Sequence, residues 1–88
     1  MAVSSGQTLV GTTATIIDGI STNPTRLHIH NMDNTKVLFV GNQDVTILNG
    51  LALQKLDTLE LIVHPGESIY AISETGTHPV SWLRQTLY

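Results

Sequence analysis

The clearest strand pattern in this chain is Arg26-Leu27-His28-Ile29-His30-Asn31. Its two apolar residues alternate with two histidines, and this period of two places successive side chains on opposite faces of a β-strand. Asp33-Asn34-Thr35 follows as a tight turn, and Lys36 to Gly41 then forms a run that is apolar on both faces. The stretch therefore predicts a strand, a turn and a second, more deeply covered strand.

Short apolar runs continue along the rest of the chain, separated by turn dipeptides such as Asn49-Gly50 and Pro65-Gly66. Twelve residues are threonine, and β-branched residues favour a pleated sheet over a helix. The runs lie at 13–17, 26–31, 36–41, 51–53, 57–64, 68–72 and 80–85. The sequence predicts an all-β protein: a compact antiparallel β-sandwich or barrel, jelly-roll-like, of six to eight short strands.

The length of 88 residues predicts one domain. Residues 1–12 are small and mostly polar, and we expect an N-terminal arm or lead-in there. Residues 13–88 would then form the single β-sandwich domain.

Charge and composition exclude several classes of function. Only 12% of the residues are charged, against about 25% in an average soluble domain. The net charge of −3 argues against a nucleic-acid partner. No apolar run reaches the roughly 20 residues that span a membrane. The N-terminus does not resemble a signal peptide, so we expect synthesis in a cytoplasm.

The sequence offers no constellation that predicts catalysis. It contains no cysteine, and no G-x-S-x-G motif surrounds a serine. The acidic residues are not spaced as acid–base pairs, and no glycine pattern predicts a phosphate site. We therefore expect a protein that is not an enzyme and has no cofactor.

Two alternatives concern single side chains. His28 and His30 share one strand face and could bind a metal on a symmetry axis between copies, or that face could simply be solvated or part of an interface. Trp82 could be a core residue, an interface anchor or a platform that stacks a sugar.

The apolar residues exceed what one small core requires. Val37 to Val40 and Ile69 to Ile72 are apolar on both faces, and Leu48 and Leu56 lie between strands. Low charge and exposed apolar patches are typical of contact surfaces. The sequence therefore predicts a homo-oligomer, the alternative being a monomer whose loops fold over its core. The expected interface residues are Phe39, Leu51, Leu53, Trp82, Leu83, Leu87 and Tyr88.

Several motifs occur in an order that resembles a group of small tailed-bacteriophage virion proteins. They are the strand ending at Asn31, the segment Val40-Gly41-Asn42-Gln43-Asp44-Val45-Thr46, the turn Asn49-Gly50, and the hairpin Pro65-Gly66-Glu67-Ser68-Ile69-Tyr70-Ala71-Ile72. The resemblance extends over roughly residues 26 to 85.

The resemblance implies a structural virion protein, above all a capsid decoration or cement subunit. Such subunits commonly form homotrimers and bind the phage major capsid protein, which would place this chain on the capsid surface after synthesis in a bacterial cytoplasm. By analogy, Val3, Leu9 and Val10 in the N-terminal segment would contact the capsid. The alternative is a tail, neck or fibre component that binds a host receptor or a glycan.

Overall fold

The structure is a computed structural model that describes residues 3–17, 23–33 and 35–86. These residues form eight β-strands, and no helix among them is long and apolar enough to cross a membrane. The strands are β1 (Val3–Val10), β2 (Thr15–Ile16), β3 (Thr25–Asn31), β4 (Leu38–Gly41), β5 (Leu51–Leu53), β6 (Thr58–Val63), β7 (Tyr70–Ser73) and β8 (His78–Thr86).

The eight strands form two four-stranded sheets. Sheet A has the order β1-β8-β3-β6, and sheet B has the order β2-β7-β4-β5. All described pairs are antiparallel. Because consecutive strands mostly alternate between the two sheets, the chain has the order of a jelly roll. The predicted all-β sandwich is confirmed.

The core lies between the inner faces of the two sheets. In β3, Leu27 and Ile29 point inward and are almost fully buried, as the alternation predicts. Burial of such a side chain stabilises the fold by about 1.5–3 kcal/mol. The buried cluster comprises Val10, Ile17, Leu27, Ile29, Leu38, Val40, Leu53, Val63, Ala71 and Val80.

The N-terminal segment differs from the sequence-based expectation of an arm or lead-in. Residues 3–10 form β1, which pairs with β8 from Val3↔Gln85 to Val10↔His78 without a break in register. The inward positions of β1 include Ser4, Gly6 and Thr8, which have no apolar pattern of their own. The sequence pattern does not indicate this strand because its inward residues are small; the ring of Trp82 on β8 fills the space over Gly6, whereas Ser4 stays exposed.

The outer face of β4 is covered in part by the chain itself. Phe39 is half-buried, and a Cβ atom built on Gly50 would lie 2.8 Å from the Phe39 Cβ. The same Cβ would lie 2.9 Å from Cγ2 of the buried Val45. The loop at 42–50 therefore folds back onto β4 and lies close to Phe39, whose expected place in an oligomer interface stays a prediction.

Candidate interaction surface

The outer face of sheet A is the broadest continuous surface that the strands present. We call this surface the A face. The strand register and the alternation of exposed and buried residues along each strand identify the residues that belong to it. They are Val3, Ser5, Gln7, Leu9, Arg26, His28, His30, Thr58, Glu60, Ile62, Pro79, Ser81, Leu83 and Gln85.

The A face is nearly uncharged and partly apolar. Arg26 and Glu60 form an ion pair across β3 and β6, with Nε and Oε1 3.3 Å apart. An exposed pair of this kind contributes little to stability. Its effect on the surface is to cancel the two formal charges. Four large apolar side chains share this face with the pair: Val3, Leu9, Ile62 and Leu83 are 63%, 70%, 51% and 46% exposed.

The two histidines lie on the A face as predicted. His28 is exposed opposite Glu60, and His30 is half-buried with no hydrogen-bond partner for Nδ1. Among residues 3–17, 23–33 and 35–86, no three His, Asp or Glu side chains converge as a metal site. Within the described part of the chain, no third ligand of these types joins His28 and His30.

Further exposed apolar residues lie at the start of the short edge strand β5 and in the loops on either side of it. Ile47, Leu48, Leu51 and Leu56 are 41%, 92%, 60% and 53% exposed, and we call these four residues the β5 edge. Leu56 has a φ of 60°, a left-handed conformation that is strained for a leucine. The chain thus holds a large apolar side chain at the surface on a backbone better suited to glycine.

Two of the predicted contact residues are buried, so those predictions are wrong. Val10 was expected to contact a capsid and Leu53 an oligomer partner, but they are 0% and 5% exposed. Each faces the other sheet, because each is the inward residue at the end of its strand. Neither side chain is available to a partner without unfolding the core.

The other predicted contact residues lie in different surroundings. Val3, Leu9 and Leu83 are on the A face, and Leu51 is at the β5 edge. Leu87 and Tyr88 fall outside the described residues.

Trp82 lies on the inner side of sheet A, where it packs partly buried against the core. Its Nε1 donates to Thr8 Oγ1 at 3.2 Å, and Thr8 Oγ1 donates to the carbonyl of Ile17 at 3.2 Å. A Cβ on Gly6 would lie 2.8 Å from Cζ2 of the ring. Among the three alternatives for Trp82, these contacts favour a core residue that joins β8 to β1.

The motifs that carry the sequence resemblance form turns. Asn42 Oδ1 accepts a hydrogen bond from Asp44 N at 2.9 Å, and Asn49 Oδ1 accepts one from Thr46 N at 2.7 Å. Glu67 Oε1 accepts one from His64 N at 3.0 Å. In each turn, a side-chain oxygen thus accepts a hydrogen bond from a backbone N–H group in place of a backbone carbonyl. A shallow depression of about 270 Å³ between the two loops is lined by Asn42, Gln43, Asp44, Glu67 and Ser68.

A buried polar site at the end of β8 has no counterpart in the sequence predictions. His78 is 1% exposed, and its Nδ1 lies 3.4 Å from Ser73 Oγ. Ser73 Oγ already donates to the carbonyl of Thr75 at 2.9 Å, so Nδ1 carries the proton and donates. Nε2 has no partner among the described residues. Burial lowers the pKa of His78, with nearby Asp33 opposing the shift and Lys36 adding to it.

Comparisons with known proteins leave the function open. No family model and no curated protein matches the chain. Among solved structures it is similar to a chain of the Bacillus endospore appendages, described as a novel family of disulfide-linked pili. The identity is 18%, the match covers 98% of this chain and 89% of that chain, and the TM-score is 0.45. A likeness this weak carries no argument about function, and this chain has no cysteine for a disulfide.

Proposed function

We propose that this protein is a structural subunit of a phage particle, a capsid decoration or cement protein that assembles as a homo-oligomer. The observation that carries the proposal is the A face, which combines exposed large apolar side chains with charges that are paired as Arg26–Glu60. Interface cores are depleted in charge in the same way. The order of turn motifs along the chain, which resembles that of small virion proteins, supplies the virion context.

The two apolar surfaces have separate roles in this proposal. The β5 edge joins copies of the chain into a homotrimer, which is the number of subunits that the resemblance to virion proteins implies. The A face, with Val3 and Leu9, lies on the major capsid protein. Many weak contacts repeated over an assembly then give a high total affinity, and binding only to the assembled lattice stabilises it by mass action.

A matched pair of variants tests whether the β5 edge joins copies of the chain and the A face binds the capsid. Leu48→Ser removes the most exposed leucine of the β5 edge and is expected to lower the oligomer mass in sedimentation velocity. Ile62→Ser removes an apolar side chain of the A face and is expected to leave that mass unchanged while weakening co-sedimentation with capsids. A wild-type chain that stays at 9.5 kDa up to millimolar concentration would contradict the proposal.

The location is tested on particles. Virions released by the host that carries the coding sequence are purified on a density gradient and examined by mass spectrometry and cryo-electron microscopy. The chain is expected in repeated copies on the head. Density confined to the tail, neck or fibre would favour the alternative role. Absence of the chain from the particles would exclude both roles.

A further inference from the structure

β1 is unlike the other strands at the edges of the two sheets. It has eight residues in unbroken register with β8 along one side. Along its other side, no strand of the described residues pairs with it. Alternate backbone N–H and C=O groups of such an edge point outward and can accept a further strand.

The remaining edges carry features that oppose strand addition. β2 and β5 have only two and three residues. β6 has six residues and contains Glu60. Short strands and charged side chains are the means by which proteins protect their sheet edges. β1 has the sequence Val-Ser-Ser-Gly-Gln-Thr-Leu-Val, with no charge and no proline, and its register contains no bulge.

The sequence of β1 is complementary to itself in one antiparallel register. Residues that face each other across such a pair must lie on the same side of the sheet, so their numbers must add to an even sum. With a sum of 12, Val3 faces Leu9 of a second copy on the outer side. Ser5 faces Gln7 beside them, Ser4 faces Thr8 on the inner side, and Gly6 faces Gly6. A sum of 14 would instead place Leu9 opposite Ser5.

We propose that β1 binds β1 of a second copy of this chain, antiparallel about a twofold axis at Gly6. The absence of charge removes the repulsion that self-pairing otherwise meets, and the register matches apolar with apolar and polar with polar side chains. The two A faces then lie on one eight-stranded sheet. This contact is separate from the proposed threefold association, and it does not rest on a virion location.

Single cysteines test the pairing, since the natural chain has none and gives no background. Val3→Cys and Leu9→Cys are made as separate variants at exposed positions and mixed under mild oxidation. Facing residues lie about 5 Å apart between Cα atoms, within reach of a disulfide. Position 3 of one copy would lie about 20 Å from position 3 of the other, too far for a disulfide. We expect covalent dimer in the mixture and little in either variant alone.

Two outcomes would overturn the proposal. One is a mixture that gives no more covalent dimer than the single variants. The other is efficient cross-linking of Ser5→Cys with Leu9→Cys in place of the first pair, because that result would require the register with a sum of 14. Which pair of cysteines forms a disulfide depends only on the register of the two β1 strands. Both results can therefore be interpreted whatever the total number of copies in the assembly.

A charge on the edge provides an independent measurement. Gln7→Lys places two lysines on a diagonal across the twofold axis and is expected to weaken the β1 contact by up to about fivefold, measured as the loss of cross-linking in the Val3→Cys and Leu9→Cys backgrounds. Ile62→Lys puts the same charge on β6 and is the matched control, expected to leave cross-linking unchanged. Equal losses in both variants would contradict pairing through β1. Circular dichroism checks that each variant is folded.

Discussion

At the scale of single residues, Trp82 and Gly6 determine how β1 joins the sandwich. The two residues face each other across β1 and β8, and the space that a glycine leaves open is filled by the indole ring. Pairing an aromatic side chain with a glycine on an edge strand is a known means of stabilising such a glycine. The contact spans nearly the whole chain, so it closes the fold at its two ends.

Gly6→Ala tests this contact. Its Cβ would lie 2.8 Å from Trp82 Cζ2, so the ring must move, and overpacking of this kind costs about 1–3 kcal/mol. We expect a lower free energy of unfolding in denaturant and a shifted emission of Trp82, the only tryptophan. In a Trp82→Leu background, Gly6→Ala should lower the free energy of unfolding by a smaller amount. An equal cost in both backgrounds would show that the ring is not the cause.

His78 is the residue at which pH acts on the fold. Burial lowers the pKa of its imidazole below the usual 6.5, so the folded chain keeps this side chain neutral down to a lower pH than the unfolded chain does. The unfolded chain therefore binds a proton at a higher pH than the folded chain does. Stability rises with pH wherever the unfolded state binds more protons, so the contribution of His78 is complete above pH 6.5 and is lost as the pH falls.

The corresponding prediction is a fall in the melting temperature over the window in which the pH is lowered below 6.5. His78→Gln cannot titrate, so its melting temperature should vary less with pH over this window, whatever its absolute value. Asp33 does not interfere, since hydrogen bonds from Thr35 lower its pKa from 3.8 and its effect lies at more acidic pH. Parallel pH dependences for the wild type and the variant would contradict the role of His78.

At the scale of elements, β5 shows how one short strand serves both the core and the surface. Leu51 and Leu53 face the same side of sheet B, because both pair with inward residues of β4. Leu53 reaches the core, whereas Leu51 lies at the open margin of the sandwich and is 60% exposed. The alternation of side chains along the strand predicts equal burial for the two leucines. Their exposures differ because they lie at different distances from the opposite sheet.

These two leucines predict opposite results for the same substitution. Leu53→Ala leaves a cavity in the core and should lower the free energy of unfolding by about 2–5 kcal/mol. Leu51→Ala should change it by no more than about 0.5 kcal/mol, as is usual for an exposed position. In sedimentation, Leu51→Ala should weaken self-association through the β5 edge. A large loss of stability in Leu51→Ala would place that residue in the core instead.

At the scale of the whole molecule, the small number of charged residues agrees with the largely uncharged outer face of sheet A. The chain has 11 charged residues, and on the A face the two formal charges form a pair. Such a surface exposes several large apolar side chains, which is unfavourable for a small protein alone in water and favourable for one that binds neighbours. The β5 edge, the A face and the unprotected edge of β1 give such a subunit three distinct ways to contact others.

The sequence by itself determined the all-β class, the positions of most strands and turns, and the two faces of β3, since these depend on the period of two and on local turn chemistry. It did not reveal β1, because the inward residues of that strand are small and Trp82 lies at the opposite end of the chain. It misassigned Val10 and Leu53, since apolar character does not tell which side of a sandwich a residue faces. Only the tertiary structure decided these points and the burial of His78, because burial depends on pairings between distant parts of the chain.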